Sequence, residues 1–471
     1  MRQQKNLSYQ QLKDLTGLST SYLHDIEKGT KYPKIDKINA LAKAFEVDYN
    51  DLVSTTASKK IQPIIDLLNS DFLKVFPMDM FGLSIYRLFE MFSNTPDKVN
   101  AFISTIIKIT RNYQMRNEHF YQAALRSYQD MYDNYFEEIE LAVKDFKKEN
   151  KLKTSVPYTT KFLESILKKK FEIQIERTSL PQKDLTTVRS FFSTKQNTLF
   201  LNKNLSSAQE NFLIGRELGF QFLALEERPL VTRILVQDSF EKLFNNFKAS
   251  YFSAALLMPE NELAKDIKNL ASKRSWHEKP LLQLLKKYDV TPEMLLQRMT
   301  NIFPKHFGIK DLFFLRLSGE EDLKRYRMTK ELHLSQLHNP YGNVRNEHYC
   351  RRWISINIIK HLRASRSHKP IAAAQISKYW ETNNEYLCLA IAKPNDANSK
   401  ASVSVTIGLL VTDQVRRLFN FLNDDNFKIK DVNTTCERCS MPNCDARTMS
   451  PIVLEEQEER RRVLDALKDL E

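Results

Sequence analysis

The chain has 471 residues, of which 42% are apolar and 27% charged, a balance typical of folded globular proteins. No apolar run reaches the ~18 residues of a membrane span, the N-terminal residues lack the apolar core of a signal peptide, and five cysteines in so long a chain do not suggest a disulfide framework. We therefore expect a cytoplasmic, multidomain protein without membrane contact, whose net charge of +13 suits a polyanionic partner.

The first 53 residues contain three short amphipathic segments. Ser8 can cap a first helix that ends at Gly17, and Ser19 can cap a second helix that ends at Gly29. A third helix begins near Ile35, with apolar residues at helical spacing. Two helices joined by a tight turn predict a helix-turn-helix.

The segment from Leu7 to Gly29, with its Glu27-Lys28-Gly29 ending, strongly resembles the Xre/phage-repressor DNA-binding family. The resemblance implies that the second helix enters the major groove of double-stranded DNA. It also implies that the chain begins close to the end of the family's first helix. A helical dimerisation or peptide-binding module is the alternative. The residues implied to contact DNA are Tyr9, Thr20, Ser21, Tyr22, His24, Asp25, Lys28 and Lys31.

Residues 61–150 show helical spacing throughout and are rich in aromatic side chains. This pattern predicts a helical bundle or a long connecting helix, with an aromatic core or a dimer interface. The charged stretch 144–153 breaks the apolar pattern and predicts a domain boundary. The aromatic positions are Phe72, Phe76, Phe81, Tyr86, Phe89, Phe92, Tyr121, Tyr128, Tyr132 and Tyr135.

The segment from Phe212 to Leu223 resembles the active helix of ImmA/IrrE-type zinc metallopeptidases. Their His-Glu-x-x-His motif places two imidazoles on one zinc ion, but here Arg216 and Phe220 stand at the histidine positions. Asn246 stands where the resemblance implies an acidic ligand. Only Glu217 of the motif remains, and we expect it to pair with Arg216 or another nearby base, or to serve helix structure. We therefore expect a degenerate domain without peptidase activity.

The C-terminal region combines strands and helices. Residues 386–392 and 401–411 have the alternation and β-branching of strands. Helical segments are expected over 412–422 and from about Leu454. A mixed α/β domain follows from this pattern.

Three cysteines lie close together in the segment Cys436-Glu-Arg-Cys439-Ser-Met-Pro-Asn-Cys444. Clustered thiolates of this kind usually hold a soft metal or an iron–sulfur cluster. Cys350 is the expected fourth thiolate, although it lies far earlier in the sequence. Cys388 lies in an apolar strand-like run, where an ordinary buried thiol is expected.

Taken together, these elements resemble the short-chain fatty-acyl transcriptional regulators, which include bacterial regulators of propionate, glyoxylate and acetate metabolism. The resemblance implies a 4Fe–4S cluster on Cys350, Cys436, Cys439 and Cys444, with a zinc ion on the same residues as the alternative. It also implies an acyl-CoA effector sensed by the C-terminal domain, for which the basic run 360–369 could supply charge or could simply be a solvated surface.

Few glycines and these patterns predict a mainly α protein with an α+β C-terminal part. The expected function is that of a homodimeric transcriptional regulator that senses a cluster, an acyl-CoA or both. A zinc peptidase acting on a stress or phage-immunity repressor, and a scaffold with structural zinc, are the alternatives. The predicted domains are a helix-turn-helix (1–56), a helical linker or dimerisation region (57–153), a degenerate metallopeptidase-like domain (154–320) and a cysteine-containing sensor domain (321–471).

Overall fold

We analysed a computed structural model of the chain, which separates into two compact units, Met1–Asn117 and Glu118–Glu471. Apart from Arg2 and Lys5, the structure describes residues 7–28, 30–31, 33–47, 117–152, 156–178, 188–229, 239–320, 325–334, 347–395 and 398–468.

The first unit contains three helices in its described part. They are α1 (Tyr9–Thr16), α2 (Thr20–Glu27) and α3 (Ile35–Phe45). Ser8 and Ser19 cap α1 and α2 as the sequence predicts, each accepting a backbone N–H of its helix. Gly17 ends α1 at a φ of 70°, a conformation that glycine adopts without strain. The core of the unit consists of Leu12, Leu23, Leu41 and Phe45.

The second unit begins with a helical body. Its helices are α4 (Asn117–Met131), α5 (Glu137–Glu149), α6 (Thr160–Phe171), α7 (Ser207–Phe222), α8 (Phe240–Leu257), α9 (Glu260–Ala271), α10 (Glu278–Tyr288) and α11 (Pro292–Phe307). A three-stranded sheet of order β1-β3-β2 lies between α6 and α7 in the sequence; its strands are β1 (Gln174–Thr178), β2 (Ser190–Ser193) and β3 (Thr198–Asn202). Helix α7 packs along α8, and α5 packs against α8 as well.

A six-stranded sheet forms the C-terminal part, in the order β5-β4-β8-β7-β6-β9. Neighbouring strands are antiparallel except for the parallel pair β6–β9. Helix α12 packs on the sheet, and α10 and α11 also contact it. The remaining elements are β4 (Leu312–Gly319), β5 (Tyr326–His333), α12 (Ile354–Ala364), β6 (Ile371–Tyr379), β7 (Glu385–Asn395), β8 (Asn398–Leu410), α13 (Asp413–Leu418), β9 (Ile429–Val432) and α14 (Ile452–Lys468).

One glycine of this sheet is required by close packing. Gly408 on β8 lies opposite Phe313 on β4. A Cβ atom at Gly408 would lie 2.2 Å from the Phe313 ring, so any larger residue would displace the ring.

These elements confirm the predicted mainly α fold with an α+β C-terminal part. The strands predicted over 386–392 and 401–411 are β7 and β8, and the expected helix over 412–422 is α13 followed by the short 3-10 turn Asn420–Asn423. The predicted aromatic helices of 61–116 lie outside the described residues, whereas α4 and α5 confirm the helical character of 117–149. None of the described helices combines the length and apolarity that a bilayer crossing needs.

Candidate functional sites

Helix α2 carries most of the residues predicted to contact DNA. The cap at Ser19 positions the first turn, where Ser21 is exposed and Thr20 and Tyr22 are half-buried. His24 is exposed on the following turn, and its Nδ1 lies 3.2 Å from the hydroxyl of Tyr9 on α1. Hydroxyl and imidazole groups in this position can exchange hydrogen bonds with base edges or phosphates.

Cations flank this helix. Lys37 of α3 lies 4.6 Å from the centre of the Tyr22 ring, and Lys31 lies 5.8 Å from it. The Lys31 ammonium also pairs with Asp25 at 3.1 Å. Asp25 is therefore engaged by an ion pair of its own unit, whereas Lys28 is exposed beyond the end of α2.

Arg2 is a residue that the sequence patterns did not single out. Its Nε donates to Glu27 at 3.0 Å, and its guanidinium lies 4.1 Å from the centre of the Tyr9 ring. The hydrogen bonds from Arg2 and Tyr9 lower the pKa of Glu27. Arg2 therefore links the start of the described chain to both helices of the motif, and no periodicity in the sequence could have indicated it.

In the metallopeptidase-like region, the positions expected for zinc ligands are occupied by residues that bind each other. Arg216 on α7 donates from Nη1 to Oδ1 of Asn246 on α8 at 3.1 Å, and from Nη2 to the Ser190 hydroxyl at 3.3 Å. Burial lowers the pKa of Arg216 to about 10, so the side chain stays cationic at neutral pH. A cation thus lies where the first histidine of the motif would lie.

Glu217 is buried beside this pair, with 2% of its surface exposed. Its carboxylate accepts hydrogen bonds from Gln221 and from Arg228, which lies on the loop after α7. The Arg228 guanidinium lies 4.4 Å from the centre of the Phe220 ring. The base that donates a hydrogen bond to Glu217 is therefore Arg228, whereas Arg216 donates to Asn246.

A cavity of about 280 Å³ opens between α7, α8 and α11 at this position. Arg216 and Asn246 line it together with apolar residues that include Phe212 and Met294. A smaller cavity toward the six-stranded sheet shares four lining residues with it: Arg189, Gln209, Thr291 and Glu293.

Several cations face these two cavities. Arg189 lines both, Lys330 of β5 lines the larger one, and Arg316 and Lys393 line the smaller one. Glu293, between them, forms ion pairs with Arg316 and Lys330. The arrangement is a partly apolar, strongly cationic recess. Its cations come from elements that are far apart in the sequence, so no sequence motif predicts the recess.

The four cysteines predicted as ligands line one small cavity. Cys350 precedes α12, and its backbone N–H donates to the Thr434 carbonyl at 3.1 Å. The Cys436 N–H in turn donates to the His348 carbonyl at 2.9 Å. Cys439 and Cys444 complete the lining. The structure therefore places Cys350 at the same small cavity as the other three cysteines.

Charged side chains hold this loop. Arg447 donates to the backbone carbonyls of Cys436, Cys439 and Met441, the last at 2.7 Å. Arg438 makes a bidentate contact with the buried carboxylate of Glu347. Arg447 thus fixes the loop through its backbone, and Arg438 does so through an ion pair.

The thiols of this loop are in a closed arrangement. The cavity they line is about 10 Å³, close to the volume that one water needs. No three His, Cys, Asp or Glu side chains among the described residues are positioned to hold one metal ion. Burial raises the pKa of the Cys350 thiol to about 11. The donor set is nevertheless the one that iron–sulfur clusters and structural zinc use. Cys388, by contrast, is an ordinary buried thiol on β7.

The basic run 360–369 lies elsewhere. It forms the end of α12 and the turn after it, where Lys360, Arg366 and Lys369 are exposed. It lines neither of the two connected cavities, which take their cations from other elements.

Comparisons with known proteins match the helix-turn-helix and the metallopeptidase-like region separately. A family described as "Helix-turn-helix" matches residues 1–52, and one described as "IrrE N-terminal-like domain" matches residues 168–300. No curated protein matches the chain. Among solved structures, a Mycobacterium tuberculosis transcriptional regulator has a TM-score of 0.50 and 15% sequence identity, over 70% of this chain and 93% of that chain. The chain thus combines an Xre-type helix-turn-helix with an IrrE/ImmA-like domain, and the last likeness is one of fold.

Proposed function

We propose that the protein is a cytoplasmic, homodimeric transcriptional regulator that binds duplex DNA through α2. The observation that carries this proposal is the capped α1–Gly17–α2 unit, which presents Ser21 and His24 to solvent, with Lys37 of α3 beside Tyr22. A fold shared with a transcriptional regulator supports it.

DNA binding is tested by selecting duplexes from a random pool with the full chain and measuring their affinity by fluorescence anisotropy. A Ser21→Ala/His24→Ala variant should lose at least about tenfold in affinity for the selected duplex, because one lost base contact costs roughly 1–3 kcal/mol. The control is Gln10→Ala on the exposed side of α1. Equal affinity and sequence preference in all three proteins would overturn the proposal.

We further propose that the IrrE-like domain binds an effector and does not hydrolyse peptides. Support comes from the Arg216–Asn246 hydrogen bond at the zinc-ligand positions and from the engagement of Glu217 by Arg228. The cationic recess has the chemistry that an acyl-CoA needs, with apolar walls for an acyl group and cations for phosphates.

Calorimetric titration with acetyl-CoA and propionyl-CoA tests the effector. Binding that weakens in Lys330→Gln and persists in the surface control Lys265→Gln is the expected result. The rival zinc-peptidase function predicts metal-dependent cleavage that Glu217→Gln abolishes. Such cleavage, or the absence of acyl-CoA binding, would refute the effector proposal.

We also propose that Cys350, Cys436, Cys439 and Cys444 hold a 4Fe–4S cluster, whose loading changes DNA affinity. The convergence of four thiols on one cavity supports this, and bound iron–sulfur would supply redox or oxygen sensitivity. Anaerobic purification should give a brown protein with about four irons per chain. Iron should be lost in Cys350→Ser and retained in the control Cys388→Ser. A colourless protein with one zinc per chain would favour the structural-zinc scaffold.

A further inference from the structure

Five cations form an exposed surface on the C-terminal sheet domain, which we call the basic surface. They are Lys360, Arg366, Lys369 and Lys428, which are exposed, and Lys430, which is half-buried. The first three end α12 or follow it, whereas Lys428 and Lys430 belong to the β9 edge of the sheet. None of the ion pairs between described side chains uses any of the five cations.

Helix α12 packs on β6, and β6 pairs with β9, so the two groups of cations flank the same strand. Burial, together with the charges of Arg351 and Lys430, lowers the pKa of Lys360. The Lys428 carbonyl accepts the N–H of Ile376 on β6 at 2.8 Å, and β6 begins just after Lys369. At about 3.3 Å per residue of strand, the surface extends for about 20 Å.

Helix stability explains only part of this surface. Cations at the C-terminal end of α12 stabilise the helix by interacting with its dipole, but Lys428 and Lys430 are not on a helix. Asp424, Asp425 and Asp431 are close in sequence to Lys428 and Lys430, although no ion pair between described side chains joins them to either lysine. Glu278 accepts the backbone N–H of Ala372, and Asp431 lies opposite Lys378 in the sheet. The five cations therefore outnumber these four acids, and the surface has a net positive charge.

We propose that the basic surface binds the phosphate backbone of duplex DNA, as a second and sequence-independent contact in addition to the one proposed for α2. A length of 20 Å corresponds to about six base pairs at 3.4 Å each. This proposal rests on the proposed DNA binding. It assigns a partner to the basic run 360–369, which does not line either of the two cavities. Its chemistry is that of spaced cations with no base-reading groups, so it adds affinity and no sequence preference.

The test measures the salt dependence of affinity, using full-length protein and two 40-bp duplexes, one with the selected site and one scrambled. A Lys360→Gln/Arg366→Gln/Lys369→Gln variant should bind both duplexes more weakly by a similar factor. The slope of log affinity against log salt should flatten by about 2.7, because each lost phosphate contact contributes about 0.9. The preference for the selected duplex should not change.

The matched control is Lys265→Gln/Lys268→Gln/Lys279→Gln, which removes the same charge from exposed positions on α9 and α10. If both variants flatten the slope equally, the effect is one of net charge and the inference is wrong. If the unmodified chain selects no duplex, the proposed function fails together with it. Unchanged DNA binding combined with loss of 3′,5′-ADP binding in the surface variant would instead assign the surface to a free phosphate ligand.

Discussion

Removal of the Glu140 carboxylate should destabilise the second unit strongly. Glu140 on α5 accepts both ends of the Arg298 guanidinium from α11, at 2.5 and 3.0 Å, and the Tyr251 hydroxyl from α8 at 2.8 Å. Arg298 is completely buried. In a Glu140→Gln variant the cation would stay buried without an anionic partner.

Breaking a buried ion pair from one side costs about 3–5 kcal/mol. For a unit that spans residues 118–471, an unfolding entropy of about 2.1 cal/mol/K per residue converts this cost into a fall in Tm of about 5 °C. Differential scanning calorimetry of the full chain measures it. Because Arg298 and Tyr251 also line the larger cavity, the same variant should weaken acyl-CoA binding.

The control is the double variant Glu140→Leu/Arg298→Met, which removes both charges together. It should recover most of the lost Tm, because apolar replacement of a whole buried pair is often neutral. A single variant that melts within about 1 °C of the unmodified protein would contradict the reasoning. So would a double variant that melts lower than the single one.

Three further predictions concern separate sites. Burial disfavours the charged form of Glu260, but hydrogen bonds from three side chains outweigh this effect and lower its pKa from 4.5 to about 2. The free energy of unfolding should therefore fall as the pH drops from about 4.5 toward 2. Thermal melts of Glu260→Gln over this pH range should show a smaller fall. Gly408→Ala should cost about 1–3 kcal/mol in urea unfolding, because the new methyl group meets the Phe313 ring; an unchanged midpoint would show that the ring moves freely. Arg447→Lys should lose at least one of three carbonyl contacts and speed alkylation of the loop thiols, whereas equal alkylation rates would mean that Arg447 does not hold the loop.

Local sequence signals were sufficient to predict the helix-turn-helix. Ser8, Gly17 and Ser19 act within one turn of their own helices, so the positions of caps and turns are visible in the sequence. The alternation that predicted β7 and β8 is equally local. The resemblance of the α7 segment to a His-Glu-x-x-His helix likewise placed Arg216 and Phe220 at the histidine positions, because a helix brings positions four apart onto one face.

The sequence alone determined the classes of element and the positions where unusual chemistry lies, since caps, periodicity and motif spacing depend on neighbours along the chain. Only the tertiary structure decided the partners. It brought Cys350 to the terminal loop, gave Glu217 to Arg228, and gathered Arg189, Arg316 and Lys330 around one recess. These contacts depend on how strands and helices that are far apart in the sequence pack together. The charge of a side chain does not indicate which distant residue it will contact.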